Sequence, residues 1–347
     1  MKAENSVLIK NIYYMLAYAY KALRRDGFEK VAAESFDNIH DLFAAILIKG
    51  IEYQIKQGLT KEYVKSCRLQ KTLRGKIDIA GTVGQMTKRS KQLSCVYGVL
   101  TEDNLFNRIL KSAVILLLNH GEVKHENKIA LKKLLPLLSN VCDIKPLEIN
   151  WSLLSYRKGN ASYQMLIYLC RLLFEGMIIS HDGRVKLAKF LDGQHLCDLY
   201  ETFVRAYYER HYPQLNPRAA YVAWALDDKQ DMFLPGMYTD TMLESSDKVL
   251  IIDTKCYRRI LTQQYDKKSV CSANLYQIYA YVKNKTAVTD KVVSGMLLYA
   301  KTDEDITPNV VYSMGGNKIF VRTLNLNCEF EKIKEQLDKI VAENFTA

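Results

Sequence analysis

Two short segments of the chain, residues 234–240 (LPGMYTD) and residues 249–255 (VLIIDTK), predict its fold. Both contain apolar residues and end in polar ones, and the linker between them is short and polar. They are therefore predicted to form two adjacent antiparallel strands joined by a tight connection. Because side chains two residues apart project from the same face of a strand, Asp253 and Lys255 should lie side by side. Asp240 is expected to approach them from the neighbouring strand.

This group of two carboxylates and one amine has the composition of a site for metal-dependent phosphodiester cleavage. Asp240, Asp253, the carbonyl of Thr254 and water would give Mg²⁺ the oxygen ligands that it prefers. A bound Mg²⁺ lowers the pKa of a coordinated water and stabilises charge on a phosphate, and Lys255 would stabilise the same charge. An Asp-x-Lys sequence is also common at solvated strand ends, so the surrounding elements have to decide between the two interpretations.

The segments around the two strands predict the order helix, three strands, helix, strand. Apolar residues at helical spacing indicate the first helix, and Ser272 can cap the second. The predicted elements are a helix at 196–212, strands at 219–226, 234–240 and 249–255, a helix at 272–282 and a strand at 292–300. This αβββαβ order resembles the core of the PD-(D/E)xK nuclease superfamily. The resemblance implies an α/β fold in which a mixed sheet is flanked by helices.

The same resemblance implies roles for individual residues. The superfamily motif falls on Asp240, Asp253 and Lys255. Gln277 and Tyr281, one helical turn apart, resemble the Gln-x-x-x-Tyr motif of some branches. Gln277 is expected to contact the metal-bound water or a phosphate, and for Tyr281 both a functional role and simple packing are open.

Glu201 is a further candidate catalytic residue, because active sites of this superfamily often recruit an acidic residue from the first helix. Arg205 follows it by four residues. The two side chains could instead form a surface ion pair that contributes a few tenths of a kcal/mol. Both interpretations are open.

Composition limits the class of protein and of partner. The 49 basic and 38 acidic residues give a net charge of +11, which favours a polyanionic partner. The eight cysteines show no CxxC spacing, which favours reduced thiols in a cytoplasmic protein over disulfides or a zinc site. The chain begins without the apolar core of a signal peptide and has no apolar run that could span a bilayer, so no membrane is expected among its partners. Gly75-Lys76 lacks the preceding glycine and the following Ser or Thr of a Walker A motif, so nucleotide hydrolysis is not expected in this chain.

The first 158 residues are predicted to form a separate α+β domain. Its predicted helices are at 9–20, 39–57, 104–118 and 128–138, and its predicted strands are at 63–69 and 77–83. A polar stretch at 157–160 precedes the next helix, so the predicted domains are residues 1–158 and residues 159–347.

Several segments, in their order along the chain, resemble the McrC family, the cleavage subunits of the modification-dependent McrBC restriction systems. They are residues 11–19 (NIYYMLAYA), 74–78 (RGKID), 102–103 (ED), 107–111 (NRILK), 234–235 (LP), Asp240, 253–255 (DTK) and 274–277 (NLYQ). McrC proteins often have DAKYY where this chain has DTKCY at 253–257. The difference keeps Asp253 and Lys255 but changes what packs beside them.

The McrC resemblance implies a partner and a division of labour. In that family a partner subunit, McrB, carries the DNA-recognition domain and a hexameric AAA+ ring that binds and hydrolyses GTP. McrC docks on the ring, stimulates its GTPase and cuts double-stranded DNA at sites that depend on modified cytosine, 5-methylcytosine being the type case. By this analogy residues 1–158 would dock on and activate the ring, and residues 159–347 would cut DNA with Mg²⁺. Two alternatives are open: a non-catalytic activator of the AAA+ GTPase, and a stand-alone RecB-like nuclease.

Overall fold

The computed structural model describes residues 2–20, 36, 38–88, 90–157, 159–178, 194–228, 232–256, 261–264, 267–301 and 308–345. The chain divides into two compact units: residues 43–178 form one, and residues 1–42 together with 179–347 form the other. This division differs from the predicted boundary at residue 158. The first helix belongs with the C-terminal part of the chain, and the second boundary lies about twenty residues later than expected.

Long-range contacts explain why the first helix joins the C-terminal unit. In helix α1 (Lys2–Ala19) the side-chain amide of Asn11 donates hydrogen bonds to the carbonyl oxygens of Leu326 and Cys328, at 2.7 and 2.8 Å. The ring of Tyr14 stacks on Phe330 with 4.3 Å between ring centroids. These partners lie more than 300 residues away in sequence, so a local pattern could predict the helix but not where it packs.

The C-terminal unit is built on a six-stranded mixed sheet, which confirms the predicted sheet type. The six strands are β4 (Arg218–Val222), β5 (Met237–Glu244), β6 (Lys248–Lys255), β9 (Val292–Ala300), β10 (Val310–Met314) and β11 (Asn317–Leu324). Their order in the sheet is β10-β11-β9-β6-β5-β4. Strands β6, β9 and β11 are parallel to one another, and the remaining pairs are antiparallel. A separate hairpin is formed by β7 (Leu261–Gln264) and β8 (Lys267–Val270).

Helices cover both faces of this sheet. In β6 the consecutive residues Ile251 and Ile252 are both buried, which is typical of a strand covered on its two faces. Helix α8 (Ser272–Ala287) packs through Ile278 and Val282 on the face that carries Ile251. Gly295 on β9 allows the close approach, since a Cβ at that position would lie 2.6 Å from a methyl of Val282. The unit also contains α7 (Gln194–His211) and α9 (Phe330–Phe345). From α7 to β9 the elements follow the predicted order of helix, three strands, helix and strand, except that the β7–β8 hairpin lies between β6 and α8.

The unit of residues 43–178 combines helices with a small antiparallel sheet of order β1-β3-β2, the α+β composition expected for the N-terminal part. The predicted strand at 77–83 is wrong, because residues 79–87 form a helix. A short apolar run has no periodicity that separates strand from helix, and here the strand ends at Ile77, after which Asp78 donates its backbone N–H to Ser94 O at 2.8 Å. The elements are β1 (Glu62–Gln70), β2 (Lys76–Ile77), α3 (Ile79–Thr87), β3 (Leu93–Thr101), α4 (Leu105–Asn119), α5 (His125–Leu134) and α6 (Gln164–Ile178), and α2 (Ile39–Gln57) begins in the other unit.

Within the described ranges, no helix combines the length and the apolar character needed to cross a membrane.

Candidate active site

Asp240 reaches the neighbouring strand β6 through its side chain. The backbone pairing of β5 with β6 ends at Thr241 and Ile252. Beyond that point Oδ2 of Asp240 accepts two hydrogen bonds from Thr254, one from its backbone N–H at 2.6 Å and one from its hydroxyl at 2.7 Å. Both bonds fall on the same carboxylate oxygen and fix the orientation of the Asp240 side chain.

An irregularity in β5 turns Asp240 towards this position. Arg218 pairs with Met242 and Ala220 pairs with Thr239, so two steps along β4 correspond to three steps along β5. Such a bulge bends a strand and re-aims a side chain, and bulges are frequent next to active sites. Nη1 of Arg205, on α7, donates to the backbone carbonyl of Asp240 at 2.6 Å. Arg205 thereby stabilises the bulged segment from the helix side.

Asp253 and Lys255 lie side by side on β6, as the two-residue spacing predicts. Nζ of Lys255 lies 2.6 Å from Oδ2 of Asp253, and the two side chains are 13% and 1% exposed. The contact is therefore an ion pair that is almost completely shielded from solvent.

The electrostatic environment works against the charge on Asp253. Burial, together with the nearby carboxylates of Asp240 and Glu201, raises the pKa of this carboxyl from 3.8 to about 6, although Lys255 acts in the opposite direction. Burial disfavours a charged carboxylate because the surrounding protein solvates it poorly, and like charges add to the effect. Lys255 alone therefore does not neutralise the negative charge gathered at this point.

A chain of hydrogen bonds extends from Lys255 into helix α8. Nζ of Lys255 donates to Oε1 of Gln277 at 3.1 Å. The amide nitrogen of Gln277 in turn donates to the hydroxyl of Tyr281 at 2.9 Å, and Tyr281 is buried in the core between α8 and the sheet. Tyr281 thus packs and also orients Gln277, which holds the amine of Lys255.

Glu201 is brought to the edge of this group. Its carboxylate pairs with Nη1 of Arg205 at 3.2 Å, which is the ion pair considered from the sequence. Burial raises the pKa of Glu201 and the charge of Asp240 raises it further. The ion pair with Arg205 is therefore confirmed, whereas the catalytic role of Glu201, whose charge lies near Asp240, stays a prediction.

The residues that converge here fit a divalent metal ion. The available donors are carboxylate oxygens of Asp240 and Asp253, and hard oxygen donors suit Mg²⁺. The observation that supports the fit is that the nearly buried carboxylate of Asp253 lies close to the carboxylates of Asp240 and Glu201, with Lys255 as its amine partner, since a buried group of like charges is costly unless a further cation balances it.

Sequence reasoning missed two contributions to this geometry. It assigned Thr254 only through its carbonyl, whereas its hydroxyl and backbone N–H are the groups that bind Asp240. It treated Arg205 only as a partner of Glu201, whereas the guanidinium also binds the backbone of Asp240. The sequence signal available for the role of Thr254 was that this polar residue separates Asp253 from Lys255. Tyr257, the last residue of the DTKCY segment at 253–257, lies outside the described residues.

The sequence of this chain is similar to those of known restriction-system proteins. The family model described as McrBC 5-methylcytosine restriction system component matches residues 2–300. Over 340 residues, which cover 96% of this chain and 97% of the relative, the chain is 26% identical to the type IV methyl-directed restriction enzyme EcoKMcrBC of Escherichia coli strain K12.

Two solved structures are also similar. One is a half-complex from a tetradecameric assembly of Thermococcus gammatolerans McrB AAA+ hexamers with bound McrC, with a TM-score of 0.49 and 15% identity, covering 96% of this chain and 75% of that chain. The other is the Thermococcus gammatolerans McrBC complex, with a TM-score of 0.39 and 19% identity, covering 58% of each chain. The match to the family model spans most of the sequence, and the chain belongs to the family of McrBC 5-methylcytosine restriction system components.

Proposed function

We propose that this chain is the Mg²⁺-dependent DNA endonuclease subunit of a restriction complex that depends on modified cytosine, and that it docks on a GTP-hydrolysing AAA+ partner and stimulates it. Family membership and the similarity to a methyl-directed restriction enzyme support the system. The observation that carries the nuclease assignment is the convergence of Asp240, Asp253 and Lys255, in which a nearly buried carboxylate lies between a second carboxylate and an amine.

Asp240 and Asp253 would hold Mg²⁺ through their carboxylates, and the carbonyl of Thr254 is a third proposed ligand. When bound, the ion lowers the pKa of a coordinated water and neutralises charge on the scissile phosphate. Lys255 donates from Nζ to a phosphate oxygen or to the attacking water, where charge develops during the reaction. Gln277 keeps that amine in place through its 3.1 Å contact. Glu201 adds a further negative charge near Asp240.

The proposed AAA+ partner accounts for two features of the chain. The sequence carries no Walker A motif, so GTP would be bound by the partner. The unit of residues 43–178 exposes large apolar side chains on its small sheet and on α3, among them Tyr63 at 76%, Ile79 at 75% and Met86 at 68%. Grouped exposed apolar residues mark protein interaction sites. We therefore assign docking to this unit.

The assignment is tested by replacing Asp253 with Ala in the complex reconstituted with its AAA+ partner. The variant should lose cutting of DNA that contains 5-methylcytosine and should keep its stimulation of GTP hydrolysis. Asp247→Ala is the matched control, because Asp247 lies in the turn of the same β5–β6 hairpin, on the surface. Cutting that persists in Asp253→Ala would show that the catalytic site is elsewhere.

The docking assignment has its own test. Ile79→Asp and Met86→Asp should abolish stimulation of the partner's GTPase. Leu147→Asp, which replaces a side chain of the same unit that is 83% exposed, should leave the stimulation unchanged. Equal effects of the three variants would contradict the assignment. Cutting of DNA ends by the chain alone, without partner or GTP, would favour a stand-alone nuclease, and a wild-type complex that stimulates GTP hydrolysis without cutting would favour an adaptor.

A further inference from the structure

Two cysteines meet beside the candidate active site. Cys197 lies on α7, and Cys256 directly follows Lys255, the last residue of β6. Sγ of Cys197 donates a hydrogen bond to the backbone carbonyl of Cys256 at 2.9 Å, and the two side chains are also hydrogen-bonded to each other. A carbonyl oxygen lies about 2.4 Å from its own Cα, so Sγ of Cys197 is at most about 5.3 Å from the Cα of Cys256. The two thiols are therefore neighbours, although 59 residues separate them in sequence.

Cys197 lies on the face of α7 that contacts the site. Cys197, Glu201 and Arg205 follow one another at intervals of four residues, and side chains at this spacing share one face of a helix. Arg205 binds the backbone carbonyl of Asp240, and the charge of Glu201 lies near Asp240. A bond between Cys197 and Cys256 would therefore join this face of the helix to the residue that follows Lys255.

Both thiols have the environment of reactive cysteines. Each is half-buried and neither is disulfide-bonded, so a small oxidant has access to the pair. The hydrogen bond with the side chain of Cys256 lowers the pKa of the Cys197 thiol, although burial opposes this, and the thiolate is the reactive form of cysteine. In contrast, burial alone raises the pKa of Cys170, which keeps that thiol protonated and inert.

We propose that Cys197 and Cys256 are a modification site, at which a peroxide forms a reversible disulfide that switches off DNA cutting. Disulfides in reducing compartments are usually transient and often sense redox state.

The oxidation takes place in two steps that consume one peroxide molecule. The sulfur of Cys197 attacks a peroxide oxygen, the O–O bond breaks, and a sulfenic acid and one water are formed. The sulfur of Cys256 then attacks the sulfenic sulfur, the S–O bond breaks, and the disulfide and a second water are formed. In total the two thiols lose two electrons and two protons, and the peroxide is reduced to two waters. A dithiol reductant reverses the change by thiol–disulfide exchange.

The disulfide would move the catalytic amine. Non-bonded heavy atoms pack at about 3.5 to 4 Å, whereas the two sulfur atoms of a disulfide are about 2 Å apart, so bond formation pulls Cys256 towards α7. The amine of the preceding residue, Lys255, is held by contacts of 2.6 Å to Asp253 and 3.1 Å to Gln277. A misplacement of about 1 Å in an active site can cost about 100-fold in rate. This step rests on the proposed nuclease function.

The test treats the full chain with hydrogen peroxide, removes the peroxide with catalase and then adds the AAA+ partner and DNA that contains 5-methylcytosine. Peptide mapping without reduction should find Cys197 linked to Cys256. The single-turnover cutting rate should fall about 100-fold and should return after treatment with dithiothreitol. Stimulation of GTP hydrolysis should stay unchanged, because docking is assigned to the unit of residues 43–178.

Three variants identify the thiols that matter. Cys197→Ser keeps a hydroxyl that can donate to the same carbonyl, so it should cut like the wild type before peroxide and should keep its rate afterwards. Cys256→Ser should also resist peroxide. Cys142→Ser, which removes an exposed thiol of the other unit, is the matched control and should be inactivated like the wild type.

Three results would overturn the inference: no link between Cys197 and Cys256 after peroxide, a complete link without loss of cutting, or equal inactivation of the wild type and both Cys197→Ser and Cys256→Ser. An untreated wild-type complex that does not cut would instead refute the proposed function, and peptide mapping would still test whether the two thiols form a disulfide.

Discussion

Replacing Asp253 with Asn should make the metal-free protein more stable while it abolishes cutting. Asn has nearly the shape of Asp but carries no charge, so the variant removes a buried carboxylate without leaving a cavity. In the wild type this carboxylate is 1% exposed and lies beside two other acids. A residue that costs stability in the free protein is expected where function requires charge.

The size of the effect follows from the pKa of Asp253, which burial raises from 3.8 to about 6. Because the folded state holds the proton more tightly than the unfolded state, ionisation of Asp253 destabilises the fold. A difference of about two pKa units corresponds to roughly 3 kcal/mol. The loss of folding free energy caused by this ionisation is absent below about pH 4, grows between about pH 4 and pH 6, and stays constant above that. The wild type should therefore be less stable than Asp253→Asn by up to about 3 kcal/mol at pH 7 and equally stable near pH 4.

Urea unfolding of both proteins in EDTA, at pH values from 4 to 8, measures this difference directly. Repeating the series with Mg²⁺ adds a test of binding, since a ligand at 100 times its Kd stabilises the folded state by about 2.7 kcal/mol. Mg²⁺ should stabilise the wild type and have little effect on Asp253→Asn. Equal stability of the two proteins at every pH, with or without Mg²⁺, would refute the reasoning that Asp253 is a buried charge reserved for a cation.

Two further predictions concern residues that contact the site, and a third concerns Glu244 at the end of β5. Thr254→Ala should weaken Mn²⁺ binding in calorimetry severalfold, because the hydroxyl fixes Oδ2 of Asp240, and Thr254→Ser should restore it; equal affinity of both variants and the wild type would contradict this role. Gln277→Ala should lower the single-turnover cutting rate about 10-fold to 100-fold. It should leave Mn²⁺ affinity unchanged, since Gln277 holds the amine of Lys255 and does not bind the metal ion. A loss of Mn²⁺ affinity would argue against this role of Gln277. Hydrogen bonds from Lys291 and Arg218 lower the pKa of Glu244 to about 2, so the stability that Glu244 adds is present above pH 4.5 and is lost as pH falls towards 2. The unfolding free energies of the wild type and Glu244→Gln should differ at pH 7 and converge near pH 2 to 3, and a difference that does not change with pH would refute this.

The parts of the site that depend on short-range periodicity could be predicted from the sequence. The period of two in a strand places Asp253 beside Lys255, and the ion pair is found. The helical period places Gln277 one turn from Tyr281, and their hydrogen bond is found. A short polar linker between two apolar runs predicts the β5–β6 hairpin, and the hairpin is found, although β5 pairs with β6 through residues 241–244, beyond the predicted end of the first strand at Asp240.

The parts that depend on long-range packing could not be predicted. A bulge is a mismatch in length between two paired strands, so the sequence of β5 alone does not reveal the shift at Asp240. The contact of Arg205 with the backbone of Asp240 spans 35 residues. Helix α1 was recognisable from its apolar pattern, but its partners near Leu326 are specified by tertiary packing. The functional roles of the site residues stay predictions.

The central claim is that Asp240 and Asp253 together hold one divalent metal ion. The most direct measurement is an anomalous difference map from crystals of the wild-type protein soaked in Mn²⁺. The account predicts a peak within about 2.5 Å of a carboxylate oxygen of each residue, and no peak there in Asp253→Asn crystals. Crystals of protein that cuts DNA with Mn²⁺ in solution, yet shows no peak between these two carboxylates and a peak elsewhere, would contradict it.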